Sequence, residues 1–257
     1  MLEFQLLGDF HLRYNGDSLT TLNARLQTLL VYLLLHRHHP QPRQHIAFVF
    51  WPDSSEKQAF SNLRTLYARL RKNLPQAELF LQADSQTMQW QLDSPFSLDV
   101  AKFEMAVETA ATITDWQTAV NLYHDNLLPN WYDEWLVSER DRLQQLFLQA
   151  NETLLQMLED QRDYQMAVQA AQRLLRYDPL HEATYLRLMR VQALAGNKAG
   201  ALRTFHTCAT LLEKELGVVP DEPTRDLYER LLRVDAAVEP TTPTTLTGLK
   251  WLAAALK

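Results

Sequence analysis

Six glycines in 257 residues is the feature that most narrows the folds open to this chain. That is about 2%, against about 7% in ordinary proteins. They are Gly8, Gly16, Gly196, Gly200, Gly217 and Gly248, so none falls between Asp17 and Ala195. Phosphate loops of the form G-x-x-x-x-G-K-[ST] and dinucleotide turns of the form G-x-G-x-x-G bunch glycines at a strand-to-helix junction, where the backbone must approach a phosphate closely. Neither pattern occurs, nor does the G-x-S-x-G elbow of hydrolases. ATPase, kinase, Rossmann and α/β-hydrolase chemistry is therefore disfavoured. No other catalytic constellation stands out, so the chain reads as a non-enzyme without a cofactor. Scarce glycine also suits helices, where the residue costs about 0.5–1 kcal/mol relative to alanine.

Composition adds compartment and organisation. Apolar residues make up 46%, enough to bury a core. Cys208 is the only cysteine, which rules out an intrachain disulfide or a C-x-x-C metal site. The N-terminal Met-Leu-Glu-Phe lacks the basic region of a signal peptide, and the longest apolar stretch, Leu29 to Leu35, is too short to cross a membrane. A cytoplasmic protein with no membrane partner is expected. Residues 1–98 hold nine Lys/Arg and eight Asp/Glu, whereas 99–257 hold 16 and 23. That asymmetry predicts two domains with a seam near Asp93–Asp99.

The first half opens on strands. Leu2, Phe4 and Leu6 alternate with polar or small residues, as do Phe10, Leu12 and Tyr14, and Asn15-Gly16 supplies a tight turn. The period then becomes helical. Asn23 is a candidate N-cap for Leu26, Leu29, Leu30, Leu33 and Leu34, and a second helix fits Arg43 to Phe50 before Trp51-Pro52 breaks it. A third helix follows, with Asp53 as candidate cap and Glu56 three residues on. Phe60, Leu63, Tyr67, Leu70 and Leu74 form its apolar stripe; Gln58, Ser61, Asn62, Thr65, Arg69 and Lys72 lie opposite, flanked by Lys57, Arg64 and Arg71. From Lys57 to Ala77 there are five basic residues and no acidic one. Leu79-Phe80-Leu81 and Met88 to Leu92 then read as strands around an Asp84-Ser85-Gln86 turn. Strands, three helices and a terminal hairpin give the order of an α+β winged helix-turn-helix, whose third helix enters the DNA major groove. Arg and Lys suit phosphates or guanine edges, and Asn suits adenine. A solvated helix face carries the same residues, so the pattern alone leaves both readings open.

The second half reads as helices throughout, which makes the chain mainly α. Asp163-Tyr164-x-x-Ala167-Val168 recurs as Asn197-Lys198-x-x-Ala201-Leu202, an offset of 34 residues. That is the tetratricopeptide period, in which pairs of antiparallel helices stack. Asp115-Trp116-x-x-Ala119-Val120 echoes it at an offset of 48, which requires an insertion; Leu127 to Trp135 is the candidate. An ordinary helical bundle with chance alanine spacing is the plainer alternative.

Together these residues resemble the Streptomyces antibiotic regulatory protein type. Such bacterial regulators join an OmpR-type winged helix to a bacterial transcriptional activator domain. The resemblance rests on Leu6-Leu7-Gly8, Trp51-Pro52-Asp53, Asn62-Leu63-Arg64 with Arg69 to Lys72, and Leu98-Asp99-Val100 with Phe103-Glu104. It rests further on Leu128 to Trp135 with Glu139-Arg140, Asp178 to Glu182, and Glu215 to Pro220. It implies a winged helix over 1–97, a tetratricopeptide-like activator domain over 98–235, and a linker with a short helix over 236–257. It also implies binding of direct repeats in double-stranded DNA, usually as a homodimer, and recruitment of RNA polymerase. On this reading Ser61, Asn62, Thr65 and Arg69 face the groove, and Lys57, Arg64, Arg71 and Lys72 reach bases or phosphates. Arg25 and Arg43 touch the backbone, and Gln86 and Thr87 belong to the wing. The wing departs from the family in having no Lys or Arg between Lys72 and Lys102. The alternative is a tetratricopeptide-type interaction module in which the winged helix only packs, as in the N-terminal part of a larger signalling ATPase.

The remaining features read as structural. His36, His38 and His39 sit at a helix end without cysteine or carboxylate partners, which suits capping and solvation rather than a metal. Asp133 and Glu134 are adjacent and point apart, so paired acid–base work is not expected of them. Trp131, Tyr132 and Trp135 suit a core or domain seam, and Cys208 a buried, inert thiol.

Overall fold

The computed structural model describes residues 1–236, so the linker and short helix expected beyond Ala236 lie outside the described residues. The chain forms two compact units. One comprises Met1–Met105 with Leu122–Gln144; the other comprises Ala106–Asn121 with the residues from Gln145 onward.

The first unit begins with β1 (Leu2–Gln5) and β2 (His11–Tyr14), paired antiparallel with Phe4 opposite Leu12. Asn15 and Gly16, both at positive φ, turn the chain into β3 (Asp17–Ser18). α1 (Ala24–Leu35) follows, its N-cap Asn23 accepting from the Leu26 amide at 3.1 Å as the pattern predicts. Next come β4 (Gln41–Pro42), α2 (Arg43–Phe50), α3 (Glu56–Asn73), α4 (Ala77–Phe80), β5 (Leu81–Ala83), β6 (Thr87–Trp90) and β7 (Phe96–Leu98). The strands build one sheet ordered β3-β2-β1-β7 and a second ordered β4-β6-β5, the latter carrying the wing hairpin. The fold is a winged helix-turn-helix, as expected. At its centre Trp90, fully buried, meets Phe4 edge-on, stacks on Phe80 and meets Phe96 edge-on.

Several local expectations are corrected. α3 is capped by Ser55, whose hydroxyl accepts from the Gln58 amide, and not by Asp53. Ser55-x-x-Gln58 is a second capping-box pattern overlapping the first, and it lies directly against the helix. Leu79-Phe80 belongs to the helical turn α4, so the strand starts only at Leu81. Phe60 is half-buried at the edge of the α3 stripe, while Ala59 and Leu66 join Leu63, Tyr67 and Leu70 beneath it.

The chain continues through α5 (Asp99–Thr109), α6 (Ile113–Leu122) and α7 (Trp135–Asp160). The segment between α6 and α7 packs within the first unit. The Gly8 amide donates to the Asn126 carbonyl, and the Leu128 amide to that of Leu6, both at 3.0 Å. Leu128 adopts a φ of 43°, a costly value for a branched residue, and bonds at both its amide and its carbonyl hold it there. The Arg140 guanidinium donates to the carbonyls of Leu127 (2.7 Å), Leu128 (2.6 Å) and Trp131. Trp135 packs against Tyr32 and Phe50, and Trp131 against Phe10, whereas Tyr132 is 90% exposed and belongs to no core.

The second unit is helical: α6 up to Asn121, α7 from Gln145, then α8 (Tyr164–Tyr177), α9 (Glu182–Leu194), α10 (Lys198–Leu216) and α11 (Glu222–Ala236). The 34-residue repeat has a physical content in both copies. Asp163 caps α8 by accepting from the Met166 amide, and Asn197 caps α10 by accepting from the Gly200 amide. Four residues on, Ala167 and Ala201 are each fully buried, where a small side chain lets helices approach. The earlier echo differs in phase. Thr112 and Asp115 cap α6 reciprocally, so Asp115 sits inside the first turn rather than at its cap. Gly217 ends α10 at φ 69°, the left-handed turn that glycine takes without strain. Cys208 is fully buried, and burial pushes its thiol up to about 12, as an inert structural cysteine requires.

Candidate nucleic-acid interface

α3 owes its place to its stripe: Leu63, Leu66, Tyr67 and Leu70 anchor one side and leave the other to solvent. At about 100° per residue, Ser61, Thr65 and Lys72 fall on the middle of the solvent face. Asn62 and Arg69 border it on one side. Lys57, Arg64 and Arg71 line the other, spaced seven residues or about 10.5 Å apart along the axis. Lys57, Ser61, Arg64, Thr65, Arg69, Arg71 and Lys72 are all exposed, and Asn62 is half-buried.

Among the described residues, none of Lys57, Arg64, Arg69, Arg71 and Lys72 makes an ion pair. The polar neighbours are internally tied. Gln58 donates to the Asn62 side-chain oxygen at 2.8 Å, which orients the Asn62 amide, and the Thr65 hydroxyl donates to the Ser61 carbonyl at 3.0 Å. Gln58 falls on the solvent face that the helical period predicts, four residues before Asn62, and what the structure adds is its bond to the Asn62 amide.

A second group gathers where α2 begins. The Arg43 amide donates to the Gln86 carbonyl at 2.8 Å, and its guanidinium reaches the Thr87 carbonyl at 3.5 Å. Burial pushes the Tyr67 hydroxyl above its usual range, while Arg71 and then Arg43 pull it back. Arg43, Gln86 and Thr87 are thus brought to one place at the wing. Arg25 lies exposed in the first turn of α1.

The wing turn itself holds an acid. Asp84 accepts from the amides of Gln86 and Thr87, both at 2.7 Å, and from the Thr87 hydroxyl at 3.0 Å. These bonds hold its carboxyl below the usual range. The Thr87 hydroxyl is therefore engaged, which leaves Gln86 as the freer wing residue. An aspartate opening a turn is the sequence signal for this arrangement. Among the described residues no group of three or more His, Cys, Asp or Glu is arranged to hold a metal ion, and no helix is long and apolar enough to cross a membrane. His36 instead stacks on Tyr32, with its Nδ1 2.9 Å from the Tyr32 carbonyl.

Comparison with known proteins gives a consistent set. The profile of the bacterial transcriptional activator domain matches residues 98–232. Regulatory protein AfsR of Streptomyces coelicolor is 28% identical over 92% of this chain. Transcriptional regulatory protein MoaR1 of Mycobacterium tuberculosis is 23% identical over 90% of this chain and 79% of its own length. The chain spans about a quarter of the length of AfsR. The solved structure of Mycobacterium tuberculosis EmbR in complex with a low affinity phosphopeptide superposes with a TM-score of 0.71. It covers 99% of this chain and 69% of that one at 18% identity, and so speaks for the fold.

Proposed function

The chain belongs to the bacterial transcriptional activator domain family, among regulators of the Streptomyces antibiotic regulatory protein type, and from that premise we propose that it binds double-stranded DNA through α3 to activate transcription. The observation that carries this reading is the set of five cations on α3, exposed and without ion pairs among the described residues, in a stretch free of acidic residues. Unpaired cations at the surface of a winged helix have phosphates as their natural counter-charge. Ser61, Thr65 and Arg69, with Asn62 oriented by Gln58, read base edges; Lys57, Arg64, Arg71 and Lys72 reach bases or phosphates. Arg43 and Gln86 meet the flanking backbone beside the wing, with Thr87 in support, and Arg25 adds a contact from α1. Residues 1–97 carry DNA binding, and residues 98–235 carry the contact with RNA polymerase. Direct repeats seat two copies of the chain side by side.

The test is a mobility shift on the DNA upstream of the chain's own gene. Wild-type protein retards the fragment, and Arg69→Ala with Lys72→Ala weakens binding at least tenfold at about 0.15 M salt. Retardation unchanged by both substitutions removes α3 from the assignment. No retardation by the wild type gives the function to the helical repeats as a protein-interaction surface, a reading favoured by the acid at the wing turn.

A further inference from the structure

Within the second unit a cavity of about 200 Å³ opens where α6, α7 and α8 meet. Each helix supplies one stripe. Val120 comes from α6; Asn151, Leu154 and Leu158 come from α7 at i, i+3 and i+7; Met166 and Arg173 come from α8, one heptad apart; the amides of Gln117, Asn121 and Gln169 complete the polar part of the lining. Two polar groups in it lack the partners that burial demands. Asn151 is fully buried, and its side-chain nitrogen donates to the Ala170 carbonyl at 2.8 Å. Its side-chain oxygen, equally buried, accepts nothing among the described residues. A buried acceptor left unpaired is costly, and a donor brought by a bound molecule would satisfy it. The second group is the guanidinium of Arg173. Burial and then the neighbouring Arg176 push it below its ordinary range, and among the described residues no carboxylate pairs with it.

We propose that this cavity is a binding site for a small aliphatic monocarboxylate carrying an adjacent N–H or O–H donor. The carboxylate pairs with Arg173, the donor meets the Asn151 oxygen, and the aliphatic body lies on Leu154, Leu158, Met166 and Val120. A cavity near 150 Å³ admits a benzene-sized molecule, so this volume sets a ligand of about ten non-hydrogen atoms. Small polar molecules such as glycerol satisfy the donor but not the cation or the apolar wall, and inorganic anions satisfy only the cation. The site lies wholly among residues that form the helical unit, and it stands whether or not α3 binds DNA.

Calorimetric titration of the full chain tests it with four probes: L-leucine, 2-hydroxy-4-methylpentanoate, 4-methylpentanoate and 3-methylbutan-1-ol. The first two bind saturably. The third lacks the donor and binds several-fold more weakly, and the fourth lacks the carboxylate and binds at least tenfold more weakly. Arg173→Gln weakens the first two at least tenfold, the loss expected for a charge-assisted hydrogen bond, whereas Arg173→Lys keeps them within a few-fold. Because Arg173 is only half-buried, both variants fold, and a thermal melt checks this. Heat from none of the probes, or binding indifferent to Arg173→Gln in a folded variant, overturns the proposal. So does a crystal grown with L-leucine in which water alone occupies the Asn151 oxygen.

Discussion

α3 carries three arginines and α7 two, and the two helices engage them differently. On α7, Arg140 is satisfied by three backbone carbonyls, and Arg142 pairs with Glu104 at 2.7 Å and Glu139 at 3.0 Å. Glu104 also pairs with the buried Arg37. On α3, Lys57, Arg64, Arg69, Arg71 and Lys72 stand in solvent without ion pairs among the described residues. Charge that is matched inside a fold contributes to stability when it is buried and hydrogen-bonded. Charge left unmatched at the surface contributes almost nothing to stability and remains available to a partner. The comparison therefore separates the cations that hold this protein together from those that act outward.

Substitution breaks or sharpens that separation, and the largest effect is expected at Arg140. Arg140→Ala strands the carbonyls of Leu127, Leu128 and Trp131 and releases the left-handed Leu128. A loss of about 3 kcal/mol is expected in urea unfolding monitored by tryptophan fluorescence. A loss under about 0.5 kcal/mol would put Arg140 with the outward-acting charges. Arg187 on α9 is the intermediate case, bonded to Glu159 and Gln156, both at 3.1 Å, and near Glu152 at 3.5 Å. Arg187 and Glu159 are each 19% exposed, and Arg187→Ala should cost about 1 kcal/mol, a difference that narrows in high salt as the wild-type pairs are screened. Asn197→Ala removes the α10 cap and should cost about 1 kcal/mol. Thermal denaturation checks that value, and Asn197→Asp should restore it. The smallest effect belongs to α3: Arg69→Ala with Lys72→Ala should stay within about 0.5 kcal/mol of wild type.

The sequence was most legible where one residue does one local task. Asn23, Asp163 and Asn197 cap helices, and Ala167 and Ala201 sit at close helix approaches; each is visible in spacing alone. The α3 face was legible because its cations and its leucines fall on opposite sides of a helical period. Elements defined by distant partners were not. β7 is three residues long and exists through parallel pairing with β1, some 94 residues earlier by register, for which no local pattern stands. Asp53 and Ser55 presented overlapping cap signals, and only the helix start decides between them. The segment Leu127 to Trp135 falls between α6 and α7, yet its pairing with Leu6, Leu7 and Gly8 is a tertiary fact. The cavity around Asn151 was likewise invisible, because Val120, Asn151 and Arg173 are far apart in the chain and share no motif.

The central claim is that the α3 cations meet phosphates, and the salt dependence of DNA binding tests it most directly. Each phosphate neutralised adds about 0.9 to the slope of log affinity against log salt. Five contacts predict a fall of about 500-fold between 50 and 200 mM salt, measured by fluorescence anisotropy on a duplex from the upstream region. Arg69→Ala with Lys72→Ala should reduce the slope by about 2 while the protein remains fully folded. A variant whose slope matches that of the wild type would contradict the claim.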